Sequence, residues 1–83
     1  MPRIEVNLWS GLRAFANGEA RVAVEASTVG EALRGVAAKH PGLAAMLEDD
    51  VSVVVDGRVI VSGQTEPIAE GSEVWLMQRL RGG

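Results

Sequence analysis

The chain contains no cysteine, one lysine (Lys39) among its eight cationic residues, and no long apolar run. Without cysteine, neither a disulfide framework nor a thiolate-built metal site can hold it together, a composition that suits a reducing cytoplasm. The Met1-Pro2-Arg3-Ile4 start leads into no apolar stretch. The sequence therefore predicts neither a signal peptide nor a membrane span. No Gly-x-x-x-x-Gly-Lys phosphate loop and no nucleophile–base pair can be found, so the chain lacks the parts to activate a substrate by itself. A net charge of −3 runs against a nucleic-acid binder. These absences point away from an enzyme.

What is present is one small domain of 83 residues, hydrophobic to an ordinary 47%. Alternation over Arg3 to Trp9 puts Ile4, Val6 and Leu8 on one face of a strand. Asn17-Gly18 marks a turn, and Ala20 to Glu25 alternates again with Val22 and Val24 inward, so the two strands form an antiparallel pair. Thr28 stands three residues before Glu31, a capping box opening a helix whose apolar stripe is Val29, Leu33, Val36 and Ala37. Gly30 and Gly35 weaken that helix, which must lean on a sheet. His40-Pro41-Gly42 ends it, and Leu43 to Leu47 forms one further turn.

Val51 to Val55 is rich in β-branched residues, and Asp56-Gly57 is a strong hairpin signal returning the chain as a short strand, Arg58 to Val61. Ser62 to Gly71 reads as loop with Ile68 as a buried anchor. Glu73 to Gln78 is the last strand, with Val74 and Leu76 on one face and Trp75 and Met77 on the other. The expectation is an α+β fold: a mixed five-stranded sheet with one main helix on one face, its first and last strands parallel at the centre. Residues 1–78 form the domain and residues 79–83 a flexible tail.

That tail, Arg79-Leu80-Arg81-Gly82-Gly83, is the most informative segment. Glycine leaves a carboxylate approachable from every side. Five extended residues reach roughly 17 Å, at about 3.3–3.6 Å each, far enough to enter a deep, narrow site on another protein. The terminal carboxylate is ionised at neutral pH and is a poor acyl electrophile, so it must be activated before it can transfer. That activation has to come from a separate protein.

Strand order and terminal diglycine together resemble the β-grasp ubiquitin-like superfamily. The closer likeness is to its sulfur-carrier branch, which includes the molybdopterin-synthase small subunit and the thiamine-pathway sulfur carrier. Leu12-Arg13, Thr28-Val29-Gly30-Glu31-Ala32-Leu33 and Ile68-Ala69-Glu70-Gly71-Ser72-Glu73-Val74 carry the resemblance across most of the chain. The chain departs from the molybdopterin type at Gln78-Arg79, where those members usually carry Pro-Pro, and its last five residues are those of ubiquitin.

The resemblance implies a ubiquitin-like β-grasp fold and adenylation of Gly83, with Gly82 beside it, by a ubiquitin-activating-type partner that uses ATP. The activated Gly83 then passes to sulfide, giving a thiocarboxylate, or to an enzyme thiol, or to an amine. A sulfur acceptor or a target protein follows from the outcome. Three readings remain open: a sulfur carrier, a protein modifier joined through Gly83 to lysines, and a small subunit of molybdopterin synthase. A β-grasp interaction module with an idle tail is the fallback. No bound cofactor, metal, nucleic acid or membrane is expected.

Other partner-binding candidates follow from the residues themselves. Arg79 and Arg81 suit pairing with acidic groups of an activating enzyme, against the plainer role of keeping a tail soluble. Leu80 between them suits an apolar groove on a partner. Trp75 and Met77, with Trp9 joining them, form an exposed docking patch on the face away from the helix, against the plainer reading that they complete a core. His40 is structural or exposed rather than catalytic. Glu48-Asp49-Asp50 lacks calcium-loop spacing and reads as a solvated turn. Lys39, on a surface helix, needs no role as an acceptor of another copy's terminus.

Overall fold

The computed structural model describes residues 2–49, 51–60, 63 and 65–78. Alternating valines and other apolar residues produce strands β1 (Arg3–Leu8), β2 (Arg21–Glu25) and β5 (Val74–Gln78). The valine-rich run becomes β3 (Val51–Val55), and the return strand β4 is Arg58–Val59, shorter than expected. β2 and β5 likewise each begin one residue later than the alternation suggests. The sheet is five-stranded in the order β2-β1-β5-β3-β4.

β1 runs antiparallel to β2, with Val6 opposite Val22 and Ile4 opposite Val24. It runs parallel to β5, with Val6 opposite Val74 and Leu8 opposite Leu76. β3 is antiparallel to both β5 and β4. The first and last strands thus meet at the centre, as the pattern requires. At Asp56 (φ 50°) and Gly57 (φ 82°) both turn residues are left-handed, as a two-residue turn between right-twisted strands demands.

The connection from β1 to β2 is more structured than its sequence suggests. It forms a helical turn α1 (Ser10–Arg13) and a 3-10 turn over Ala14–Ala16, which buries Leu12 and Ala16 and ends on Asn17 at φ 56°. Short polar Asn tolerates that left-handed stop. No side chain caps this segment; burial of Leu12 holds it, a tertiary effect invisible to a local reading.

The main helix α2 (Val29–Lys39) opens at Thr28, whose Oγ1 accepts from the Glu31 amide at 3.2 Å. The Glu31 carboxylate reaches back one residue further than in the expected capping box. Its Oε1 accepts from the Ser27 amide at 2.8 Å and the Ser27 hydroxyl at 2.7 Å. These two bonds, the amide first, hold the Glu31 pKa below its ordinary value.

Inward residues of α2 are Val29, Ala32 and Val36, while Leu33 and Ala37 lie at the margin of the core. The expected stripe is therefore rotated, for a steric reason. A Cβ on Gly35 would stand 2.9 Å from Val24 Cγ1, so helix and β2 meet at glycine, and Ala32 and Val36 share that face. His40 leaves the helix at φ −133° and Pro41 begins the next. Two short turns follow instead of one, α3 (Pro41–Ala44) and α4 (Met46–Asp49), burying Leu43 and Leu47. His40 resolves to the structural alternative: it is buried, with Nε2 3.0 Å from Glu19 Oε2. Ile68 is buried as expected, and its amide donates to the Ser27 carbonyl at 2.8 Å.

Two outcomes test this packing. Gly35→Ala gains about 1 kcal/mol of helix propensity but overpacks Val24 at a cost of about 1–3 kcal/mol. Urea unfolding should therefore show a net loss of about 1 kcal/mol. Because folding lowers the Glu31 pKa, its stabilisation is complete above the ordinary value of 4.5 and is lost as pH falls through the lower folded value. Glu31→Gln should be less stable than wild type at neutral pH and should lose less stability on acidification, read as urea midpoints.

Candidate partner-docking surface

Because side chains alternate along each strand, the sheet face opposite α2 collects Asn7, Trp75, Val54 and Val59 in one row across β1, β5, β3 and β4. Met77 and Ser52 form the next row. Trp9 follows β1 directly, and its amide donates to the Leu76 carbonyl at 3.0 Å, which extends the parallel ladder and sets Trp9 at the end of the sheet where β5 also ends.

Trp75 and Met77 are half-buried, not the fully exposed pair the alternation suggests. Side chains on the neighbouring strands, Asn7 and Val54 beside Trp75 and Ser52 beside Met77, share the face with them. Trp9 is 41% exposed and Val59 61%. The result is an apolar surface over β5, β3 and β4, with no helix across it among the described residues. The other half of the face is polar. There Arg3, Glu5, Arg21, Glu70 and Glu73 line a shallow groove of about 530 Å³. Arg21 Nη1 lies 3.6 Å from Glu5 Oε2, an exposed pair that contributes little to stability. Asn7 stands at the boundary, its Nδ2 donating to the Val74 carbonyl at 3.1 Å.

Arg79, Leu80, Arg81, Gly82 and Gly83 lie outside the described residues, as does Asp50 of the acidic run. The described neighbourhood where β5 ends holds Trp9 and α1, whose Arg13 Nε donates to the Leu8 carbonyl at 3.0 Å. Val54, Val59 and Arg13 escaped sequence reasoning as surface residues. An unbroken valine run has no alternation to show which valine faces out, although the Asp56-Gly57 turn does place Val54 opposite Val59 once its register is read. Among the described residues no helix is long and apolar enough to cross a membrane, and no group of three or more His, Cys, Asp or Glu is placed to hold a metal.

This architecture is the ubiquitin-like β-grasp. The ThiS family model matches residues 6–83, and the chain belongs to that family. It is a ubiquitin-like protein of the sulfur-carrier or modifier kind. Small archaeal modifier protein 1 of Haloferax volcanii is 27% identical over 96% of this chain and all of its own, with a TM-score of 0.82. In the BexX/CysO complex of Amycolatopsis orientalis, the matching chain is 23% identical, covers 96% of this chain and 99% of its own, and has a TM-score of 0.81. In the complex of subunits 1 and 2 of the molybdopterin-converting factor from Helicobacter pylori, the matching chain is 20% identical. It covers 98% of this chain and 99% of its own, with a TM-score of 0.69. No curated protein sequence matches this chain.

The two faces of β5 and its neighbours should respond differently to substitution. Val59→Ser should shift unfolding free energy by no more than about 0.5 kcal/mol. Leu76→Ala, from the buried face, should cost about 2–5 kcal/mol. Chemical denaturation of both variants measures the contrast.

Proposed function

We propose that this protein is a sulfur carrier, itself without catalytic activity, whose Gly83 carboxylate is the reacting group. A partner of the ubiquitin-activating type joins that carboxylate to the α-phosphate of ATP, releasing pyrophosphate. Sulfide, or a persulfide followed by reduction, then displaces AMP and leaves a thiocarboxylate. The observation that carries this reading is the family match, which runs to the last residue and so includes Gly82-Gly83. The chain contributes an unhindered carboxylate and a docking surface; the nucleotide chemistry belongs to the enzyme.

In this reading the face bearing Trp75, Met77, Trp9, Val54 and Val59 binds the activating enzyme. Aromatic and Met side chains give a docking patch contact area that excludes water. Arg79 and Arg81 pair with acidic groups along the enzyme's channel, and Leu80 occupies an apolar site between them. Structures of similar fold occur in protein complexes, which supports a protein partner in general.

The likeness to a protein named a modifier favours a second reading, in which activated Gly83 is transferred to a lysine amine of a target. The ubiquitin-like last five residues agree with it. The molybdopterin-synthase reading rests on a likeness too distant to support more than the fold.

Intact mass spectrometry of protein from its native host, or after incubation with its activating enzyme, ATP and a sulfur source, should show sulfur in place of one terminal oxygen. An unchanged mass under conditions that convert another carrier refutes the first reading. Gly-Gly remnants on target lysines, absent when Gly82-Gly83 are deleted, would establish the second. In ATP–pyrophosphate exchange, Val59→Asp should raise the half-saturating concentration of the carrier at least about tenfold with little change in the maximal rate, the loss expected for one interface anchor.

A further inference from the structure

The outer edge of β2 is unlike the rest of the sheet. Val22 and Val24 pair toward β1, and the flanking carbonyls of Ala20 and Pro2 accept from Leu8 and Ala26 across the same seam. Alternation therefore turns the amides and carbonyls of Arg21, Ala23 and Glu25 outward, away from the sheet. A row of this kind is a template for another strand. At its midpoint stands the chain's one lysine: Lys39 Nζ, from the last turn of α2, donates to the Ala23 carbonyl. A shallow groove of about 480 Å³ runs beside the edge, floored by Ala23, Val24, Gly35 and Ala38 and flanked by Arg3, Glu25 and Lys39.

We propose that this edge is a latent self-association site held shut by Lys39, and that the strand it fits is β2 of a second copy. An antiparallel pairing centred on Ala23 sets Ala23 opposite Ala23 of the second copy, Arg21 opposite its Glu25, and Glu25 opposite its Arg21. All three positions turn their backbone groups outward, so each becomes a hydrogen-bonded pair in this register. Each charged pair is also of opposite sign and lies on the same sheet face.

The two-fold axis passes through the sheet at Ala23, leaves both α2 helices on one side, and continues one sheet through two molecules. Arg3, which lies opposite Glu25 within each molecule, adds a further cation beside that carboxylate. Strand addition requires the Ala23 carbonyl, and Lys39 occupies it. While the ammonium stays there, the middle pair cannot form and the edge stays closed.

Sedimentation velocity across a wide concentration range tests this. Wild type and Lys39→Arg, which keeps a donor, should remain monomeric; Lys39→Ala should dimerise as concentration rises. Adding Arg21→Glu to Lys39→Ala places like charges opposite each other at both ends and should weaken the dimer about tenfold. Further adding Glu25→Arg should restore it. Hydrogen exchange gives a second readout: the Ala23 and Glu25 amides should become protected as Lys39→Ala associates, and the Val22 and Val24 amides should not change.

A Lys39→Ala protein that stays monomeric overturns the proposal, as does a wild type that dimerises equally well. Association of the Arg21→Glu, Lys39→Ala protein as tight as that of Lys39→Ala alone overturns the charge-matched register. None of these outcomes involves Gly83, so they are independent of the sulfur-transfer reading.

Discussion

The structure depends on the placement of the last strand between the first and third. β5 pairs with β1 on one side and β3 on the other, so its inward residues Val74 and Leu76 form part of the core from both sides. A parallel contact between opposite ends of a chain cannot come from a tight turn. It needs a long connection, here everything from residue 9 to residue 73, within which α2 and the short turns after it carry the chain across one face of the sheet from β2 to β3. Closing so long a loop costs entropy that only the buried face can offset. The same arrangement places the end of β5, from which residues 79–83 continue, at the center of the sheet and beside Trp9 rather than at an edge.

From that central pair the two faces of the sheet acquire different work. One is sealed by α2, which comes close enough to β2 that Gly35 faces Val24 with no space for a methyl group. The other carries no helix among the described residues, and its half-buried Trp75 and Met77 share the surface with exposed Val59. One side holds the molecule together, and the other presents Trp75, Met77 and Val59 at the surface. Strand alternation couples the two faces, since Trp75 and Met77, between and beyond the buried Val74 and Leu76, enter the open face. A substitution at Trp75 or Met77 therefore changes the open face without breaching the core, which a change at Leu76 cannot do.

Much of this was legible in the chain. Alternation marked Ile4, Val6 and Leu8 as inward, Asp56-Gly57 marked the hairpin, and Thr28 marked the start of α2. Each signal is local: a side-chain period, a left-handed turn, or a hydroxyl facing an unpaired amide. Misreadings arose where local signals were silent or distant contacts decided. Leu33 looked like part of the buried stripe until the approach at Gly35 turned Ala32 inward. Ser10 to Ala16 had no cap to announce a helix, and Val54 sat in a run of valines that shows no periodicity. His40 could be placed only when Glu19, distant in sequence, came beside it.

By itself, the sequence determined the strand and helix types, the left-handed turns at Asn17-Gly18 and Asp56-Gly57, and the chemical character of the Gly82-Gly83 end. These follow from properties that a residue carries wherever it stands: its branching, its allowed backbone angles, its charge. Only tertiary structure decided the exact strand registers, the rotation of α2 against β2, the burial of His40, and the alignment of Val54 and Val59 in one row with Trp75. Those facts depend on register and contact between segments far apart in the chain. The free energy that selects them is gained from apolar surface buried jointly, which no single segment possesses alone.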